Sequence, residues 1–368
     1  MIARTTPNAP VILGWMIWLL TELMEAGGWY YQESHEALAL ISGLIFIIML
    51  MMVFRVVHYA DELAHRMGEP YGTLVLTLSA TVIEATLLIM VMHSGTHNPT
   101  LLRDTIFATL MLVLNGMVGF SLVTGGIHYL EQTFKLQGAL AFLQMITPLA
   151  ILILILPNYT TSLPGPYLSD SQSFFIGFLC LVVYGVFLVL QTGRYRVHFV
   201  EPTPTDEHLR LQHEVDHKKK ITRAVIGLVS ALVPIVLLSE HLAESINYGI
   251  EELKLPAHLG GILINMLVLA PEFLAASKAA FRNRIQRAVN ISLGSALATI
   301  SLTVPLVLMY SALIDHPIVI GLTGSEIPLI YATIFVALIT FVSGKATLLQ
   351  GVVHLMLFAT YLFLIFAP

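Results

Sequence analysis

Two glutamates sit inside long apolar runs of this 368-residue chain, where a charge is expensive. Glu84 lies in "GEPYGTLVLTLSATVIEATLLIM" and Glu272 in "HLGGILINMLVLAPEFLAAS". An ionised carboxylate in hydrocarbon costs on the order of several kcal/mol. Pro271, next to Glu272, also removes a backbone hydrogen bond. Both runs begin with small residues, Gly72 in one and Gly260-Gly261 in the other. Both carry a polar residue seven positions before the acid, Thr77 and Asn265. Seven positions is two helical turns, so each polar residue shares a face with its acid.

Carboxylates are hard oxygen ligands, suited to calcium, sodium and other hard cations. Desolvation favours a protonated carboxyl, whereas a nearby cation favours the ionised form. A pair of such acids therefore holds either a metal ion or protons, and the two compete. That competition is the least chemistry that cation/proton exchange requires. Pro271 would release the carbonyl of Leu267 as a further oxygen. Hydroxyls at Ser292, Ser295 and Thr299 recur at i, i+3 and i+7 on one stripe, and Thr105 and Thr109 stand on the counterpart helix. Ser and Thr in such places ordinarily tie helices together, and the ordinary alternative for each glutamate is a protonated acid bonded across helices.

The elements that hold these residues are set by composition. The chain is 57% hydrophobic and 11% charged, with mean hydropathy +0.82; soluble domains carry roughly 25% charged residues. Eleven apolar runs are candidate spans: 11–24, 37–58, 70–93, 104–125, 137–156, 172–191, 221–239, 258–277, 288–312, 327–343 and 346–367. The first and tenth are short against the roughly 20 residues a spanning helix needs. The runs are too long and continuous for barrel strands, so the expected fold class is an all-α polytopic membrane bundle. The first run lacks a small-x-small cleavage pattern and reads as a retained span. Cys180, the single cysteine, lies in an apolar run and excludes a disulfide framework. A net charge of −5 gives no reason to expect a nucleic-acid partner; the lipid bilayer is the expected partner, and the oligomeric state is left open.

With the N-terminus on the cytoplasmic side, sixteen of the eighteen Lys and Arg residues fall on or near the inner face, leaving Arg103 and Lys254 outside. The polar stretch "GRYRVHFVEPTPTDEHLRLQHEVDHKKK" divides the chain into residues 1–36 (a peripheral helix and loop), 37–192 (five spans), 193–220 (a cytoplasmic linker) and 221–368 (five more). Five is odd, so the two halves enter the membrane in opposite directions, the inverted-repeat plan of many secondary transporters. Glu84 and Glu272 fall on the second helix of each half.

Other motifs are weaker. "HEVDH" at 213–217 fits the zinc-protease pattern HExxH, although it stands in a charged loop with no evident third ligand. His198, His208, His213 and His217 in that loop suit a pH or cation sensor, or a solvated linker. Asp61, Glu62 and Glu69 on the connector between the second and third spans are placed to recruit cations at an inner mouth. Glu22 belongs to the peripheral helix, and His354 in the last span reads as a packing or hydrogen-bonding residue more than a proton relay. Fifteen methionines suit adaptable packing between helices.

The stretches "ADELAHRMGEPYGTLVLTLSATVIEATLL", "PTLLRDTIFATLMLV", "YGVFLVLQT", "LAPEFLAASKAAFRNRIQRAVN" and "GSALATISLTVP" resemble the calcium/cation antiporter superfamily, most closely its ChaA-type bacterial cation/proton exchangers. The resemblance covers nearly the whole chain except the first span and the linker. It implies one peripheral helix plus two inverted five-helix repeats, and export of cytoplasmic calcium, sodium or potassium against external protons across the inner membrane. It implies that each repeat gives one essential acid, at Glu84 and Glu272, by alternating access near the midplane. Calcium/proton exchangers of the superfamily have Gly-Asn-Ala-x-Glu around the acid. Here the runs are Ala80-Thr81-Val82-Ile83-Glu84 and Val268-Leu269-Ala270-Pro271-Glu272, and Ala298 stands where a glutamine is typical. Fewer amide ligands leave calcium, sodium and potassium all open. No cofactor is expected, since a proton gradient drives the cycle and no phosphate-binding loop is visible. The alternatives from other classes are a cation channel and a membrane metalloprotease.

Overall fold

The computed structural model describes residues 9–27, 35–67, 71–94, 99–163, 165–200, 214–252, 258–314 and 318–367. The chain is a helical membrane bundle. α1 (Ala9–Ala26) precedes α2 (His35–Met67), α3 (Tyr71–Ser94), α4 (Leu101–Leu110), α5 (Val118–Tyr129), α6 (Leu136–Leu154) and α7 (Asp170–Thr192). The second set is α8 (Glu214–Glu252), α9 (His258–Phe281), α10 (Ile285–Ala298), α11 (Val304–Ile314), α12 (Glu326–Val342) and α13 (Leu348–Phe366). α4 runs into α5, and α10 into α11, through π-helical segments at Met111–Met117 and Thr299–Thr303, so each pair is one continuous span. Among the described residues nine helices are long and apolar enough to cross a membrane, and Thr77–His93 and Glu326–Val342 are shorter apolar helices. Each of the eleven expected runs thus falls on a helix. α8 begins at Glu214, inside the stretch read as a linker.

The two sets pack as inverted repeats around a shared core. α4 packs on α9 and α10 on α3; α5 packs on α13 and α11 on α7; α3 packs on α8 and α9 on α2. Each contact has a counterpart when the sets are exchanged. The last helix of each set opens with the same device, a capping box made by Ser169 and Gln172 in α7 and by Thr347 and Gln350 in α13. α1 packs at the edge on α2 and α8, where Trp15 Nε1 donates to the Ser230 carbonyl at 3.2 Å. Its outer residues Leu13, Met16, Leu19, Leu20 and Leu23 are exposed, which suits lipid and would be costly in water.

Connections gather on two opposite faces, as alternating spans demand. On one face, which we call the linker face, β1 (Glu131–Thr133) pairs antiparallel with β2 (Lys345–Thr347). There Gln132 Nε2 donates to the Ala280 carbonyl at 3.0 Å, and Asn290 Nδ2 to the Phe199 carbonyl at 2.6 Å. On the far face the Val319 amide donates to the Pro99 carbonyl at 2.9 Å and the Leu322 amide to the Leu154 carbonyl at 2.7 Å.

Glycines set the closest helix approaches. A Cβ on Gly261 would lie 2.8 Å from Thr105 Oγ1 and 3.0 Å from its amide nitrogen, which fixes α9 against α4. A Cβ on Gly351 would lie 2.7 Å from the Val123 amide and 2.8 Å from the Gly119 carbonyl, so α13 crosses α5 backbone to backbone. Small residues serve this purpose in membrane bundles, where dispersion contacts replace the hydrophobic drive.

Candidate cation and proton site

α3 and α9 carry the two acids into the interior, with Glu84 1% exposed and Glu272 fully buried. α3 and α9 pack on each other, and the charge of Glu84 is within electrostatic reach of Glu272. Both side chains are turned away from the lipid surface.

Glu84 is held by hydroxyls from both repeats. Its Oε1 accepts from Thr109 Oγ1 at 3.2 Å. Its Oε2 accepts from Thr299 Oγ1 at 2.7 Å and, at the edge of hydrogen-bonding range, from Thr303 Oγ1 at 3.4 Å. Thr299 and Thr303 are the first and last residues of the π-helical segment in the second repeat. Such segments concentrate at functional sites, because they displace side chains from the regular helical positions. Thr109 Oγ1 also lies 2.9 Å from Asn265 Oδ1 and 3.0 Å from the Thr105 carbonyl. One hydroxyl has one proton, so Thr109 can serve only one of these three acceptors at a time. Asn265 Nδ2 in turn donates to the Thr105 carbonyl at 2.8 Å. Asn265 is therefore joined to the Glu84 cluster, from the face of α9 it was expected to share with Glu272.

Glu272 is in the opposite condition. Neither carboxylate oxygen has a hydrogen-bond partner among the described residues, and Ser295 lies beside the group without closing a bond. A buried carboxyl without donors needs a cation, water or its own proton to be tolerable. The paired acids thus differ sharply in what the protein gives them.

The remaining expected residues are placed as follows. Thr77 is buried, its hydroxyl facing Gly294 on α10 with no partner among the described residues; its carbonyl accepts from Thr81 Oγ1 at 2.9 Å. Ser292, with Ser121, lines a cavity of about 10 Å³ between α5 and α10, and neither hydroxyl has a partner among the described residues. That is about the space one water occupies. Of the inner-mouth acids, Glu62 is half-buried on α2 and Asp61 precedes it on the same helix, while Glu69 lies outside the described residues. Glu22 accepts from Trp18 Nε1 at 3.0 Å within α1. In the linker His198 stacks on Tyr195; Glu214–His217 form the first turn of α8, and His208 and His213 lie outside the described residues. Among the described residues no three His, Cys, Asp or Glu side chains meet, so any bound metal draws on hydroxyl, amide or carbonyl oxygens beside the two acids.

Two features extend what the sequence alone shows. Thr303 continues the Ser292, Ser295, Thr299 stripe by four residues, so the same spacing marks it. The second is a buried chain of polar groups around His354. Its Nδ1 lies 3.2 Å from Asn115 Oδ1 and its Nε2 3.0 Å from Thr340 Oγ1. Asn115 Nδ2 donates to Thr333 Oγ1 at 2.8 Å. A neutral imidazole donating from Nδ1 and accepting at Nε2 satisfies every partner. Asn115 sits in the π-helical segment of the first repeat, so this network ties that segment to α12 and α13.

Comparison with known proteins places this geometry in context. The sequence profile described as sodium/calcium exchanger protein matches residues 37–193 and 223–367, one stretch in each helix set. The chain is 35% identical over 343 residues to the sodium-potassium/proton antiporter ChaA of Escherichia coli (strain K12), covering 92% of both chains. It is 22% identical over 313 residues to the Ca(2+)/H(+) antiporter of Aphanothece halophytica, covering 82% of both. Among solved structures, the H+/Ca2+ exchanger CAX superposes with a TM-score of 0.69 at 15% identity, over 98% of this chain and 89% of that one. Native YfkE superposes with a TM-score of 0.72 at 16% identity, over 98% of this chain and 100% of that one. At those identities the structural likeness speaks for the fold.

Proposed function

We propose, from the premise that this chain belongs to the sodium/calcium exchanger protein family, that this cation/proton antiporter moves cytoplasmic calcium and/or sodium and potassium outward against external protons, by alternating access at Glu84 and Glu272. The observation that carries the reading is the contrast between the two buried acids. Glu84 accepts hydrogen bonds from threonines of both repeats, whereas among the described residues no hydrogen bond closes on Glu272, with Ser295 beside it. A hydrogen-bonded carboxyl next to a bare one supplies a positioned ligand and a group free to exchange its own.

In the inward-facing state both acids give up their protons and a hard cation takes their place, with hydroxyl and amide oxygens completing its shell. After the repeats rearrange, external protons displace the cation. Thr109 couples the two repeats in this cycle. When Glu84 is ionised, Thr109 gives it its proton. When Glu84 is protonated, its own O–H donates to Thr109 Oγ1, and the threonine proton is released toward Asn265 Oδ1 on α9. Proton loading on one repeat thereby changes a hydrogen bond to the other.

The choice of cation stays broad because the relatives' names span sodium, potassium and calcium. Asn265 is the one amide joined to the cluster among the described residues. Inner-membrane residence with a cytoplasmic N-terminus and linker is supported by sixteen of eighteen Lys and Arg residues falling on that side. Membership in a family of ion exchangers sets aside the protease reading of HEVDH.

The test is proton movement in everted vesicles loaded with a pH-sensitive dye. Adding calcium, sodium or potassium salts separately should collapse the proton gradient with at least one of them. A cation current with no counter-moving protons would make the protein a channel and overturn the reading.

A further inference from the structure

A cavity of about 470 Å³ lies at the far face, between the first turns of α4 and α12 and the last turns of α13. It shares no residue with the Glu84 cluster. Hydrocarbon makes up most of its wall, from Phe107, Leu329 and Leu364; Asp104, Glu326 and Tyr361 also line it, with the hydroxyl residues Thr323 and Ser325 at its rim. Asp104 is already closed by Arg103 at 2.8 Å and by Thr100 at 2.8 Å, which neutralises it. Glu326 accepts from the Thr323 amide at 3.0 Å through Oε2, and its Oε1 has no protein partner among the described residues. Tyr361 is only 7% exposed, its ring is held edge-on by Phe107 at 5.5 Å, and its hydroxyl makes no hydrogen bond to any described residue. Buried tyrosine hydroxyls ordinarily have a partner.

The lining defines the ligand. One uncompensated carboxylate and a free phenol beside aromatic faces suit a single positive charge. Most of the wall is hydrocarbon, which suits an organic cation with an apolar stem rather than a bare inorganic ion. The volume is that of a small-molecule site. Phe366, which lines the cavity, and Phe363 nearby on α13 are 70% and 67% exposed, so its mouth adjoins the lipid-facing surface. We propose that this cavity binds an amphiphilic ammonium, with the charged head at Glu326 and Tyr361 and the hydrocarbon stem along Phe107, Leu329 and Leu364. Both an aminophospholipid and a free alkylamine have this chemistry.

The full chain is reconstituted in nanodiscs of phosphatidylglycerol, which has no ammonium group, and labelled with dodecylamine carrying a photoreactive diazirine at its tail. Labelling should fall on the segments that line the cavity, within 104–107, 323–329 and 361–366, and unlabelled dodecylamine should compete whereas dodecanol should not. Glu326→Gln and Tyr361→Phe should each weaken labelling by about tenfold, the loss of one charge-assisted or aromatic contact. Leu364→Trp, which fills the space and removes no charge, should block labelling and serves in place of any variant that does not elute monodisperse. Protection by added phosphatidylethanolamine assigns the lipid as occupant; protection by dodecylamine alone assigns a free amine. Equal competition by dodecanol, label outside these segments, or unchanged labelling in the variants would overturn the site.

Discussion

Thr299 of the second repeat donates a 2.7 Å hydrogen bond to Glu84 of the first, so the acid of one half is held by a hydroxyl of the other. The donor stands at the start of a π-helical segment, where any movement of α10 against α3 must break or remake the bond.

Removing that donor should weaken cation binding and leave the fold intact. Thr299→Val takes away one hydrogen bond to a charged group, worth about 1.5–3 kcal/mol. The apparent KM for the exported cation should rise roughly tenfold or more, while Thr299→Ser should stay near wild type. Cation titrations of vesicle exchange check both, and an unchanged KM in the valine variant would remove Thr299 from the site.

Gly261 is a test of packing. Because a Cβ there would sit 2.8 Å from Thr105 Oγ1 and 3.0 Å from its amide nitrogen, Gly261→Ala should force α9 away from α4 at a cost of about 1–3 kcal/mol. The displacement also moves Asn265, four residues on, so exchange should fall along with thermal stability. Wild-type values of both would mean that the helices can shift freely.

The His354 network should prove structural. His354→Leu leaves Asn115 Oδ1 and Thr340 Oγ1 without the imidazole, a cost of about 1–3 kcal/mol. The thermal midpoint should drop, and exchange per folded molecule should be retained. Loss of exchange in a fully stable variant would instead make His354 part of the proton path.

At the linker face, Glu131 raises the Lys345 amine above its usual value of 10.5 through a 2.8 Å ion pair. A raised amine contributes fully below its ordinary value and loses that contribution as pH climbs through the raised one. The pair is exposed and contributes little in any case. Unfolding midpoints of wild type and Lys345→Met should therefore coincide from neutral to mildly alkaline pH.

Long apolar runs made the spans legible, down to the short α12, because a membrane helix declares itself by length and composition. Glu84 and Glu272 stood out in the sequence for a second reason, since each lies in an apolar run two turns after a polar residue. The aim of side chains was not. Ser292 and Ser295 stand one turn apart, yet one faces Ser121 and the other Glu272, which depends on how α10 is rotated in the bundle. The segment Met111–Met117 is apolar around most of its circumference, so its sequence gives no phase from which a π-helical turn could be read. The ribbon of Glu131–Thr133 with Lys345–Thr347 joins pieces of three residues, too short for a strand pattern.

The most direct test reconstitutes purified protein in liposomes with an imposed proton gradient and follows cation and proton fluxes together for wild type, Glu84→Gln and Glu272→Gln. Wild type should move cation and protons in a fixed ratio, and each glutamine variant, still monodisperse, should move neither. Coupled exchange at the wild-type rate in either variant would contradict the two-acid mechanism.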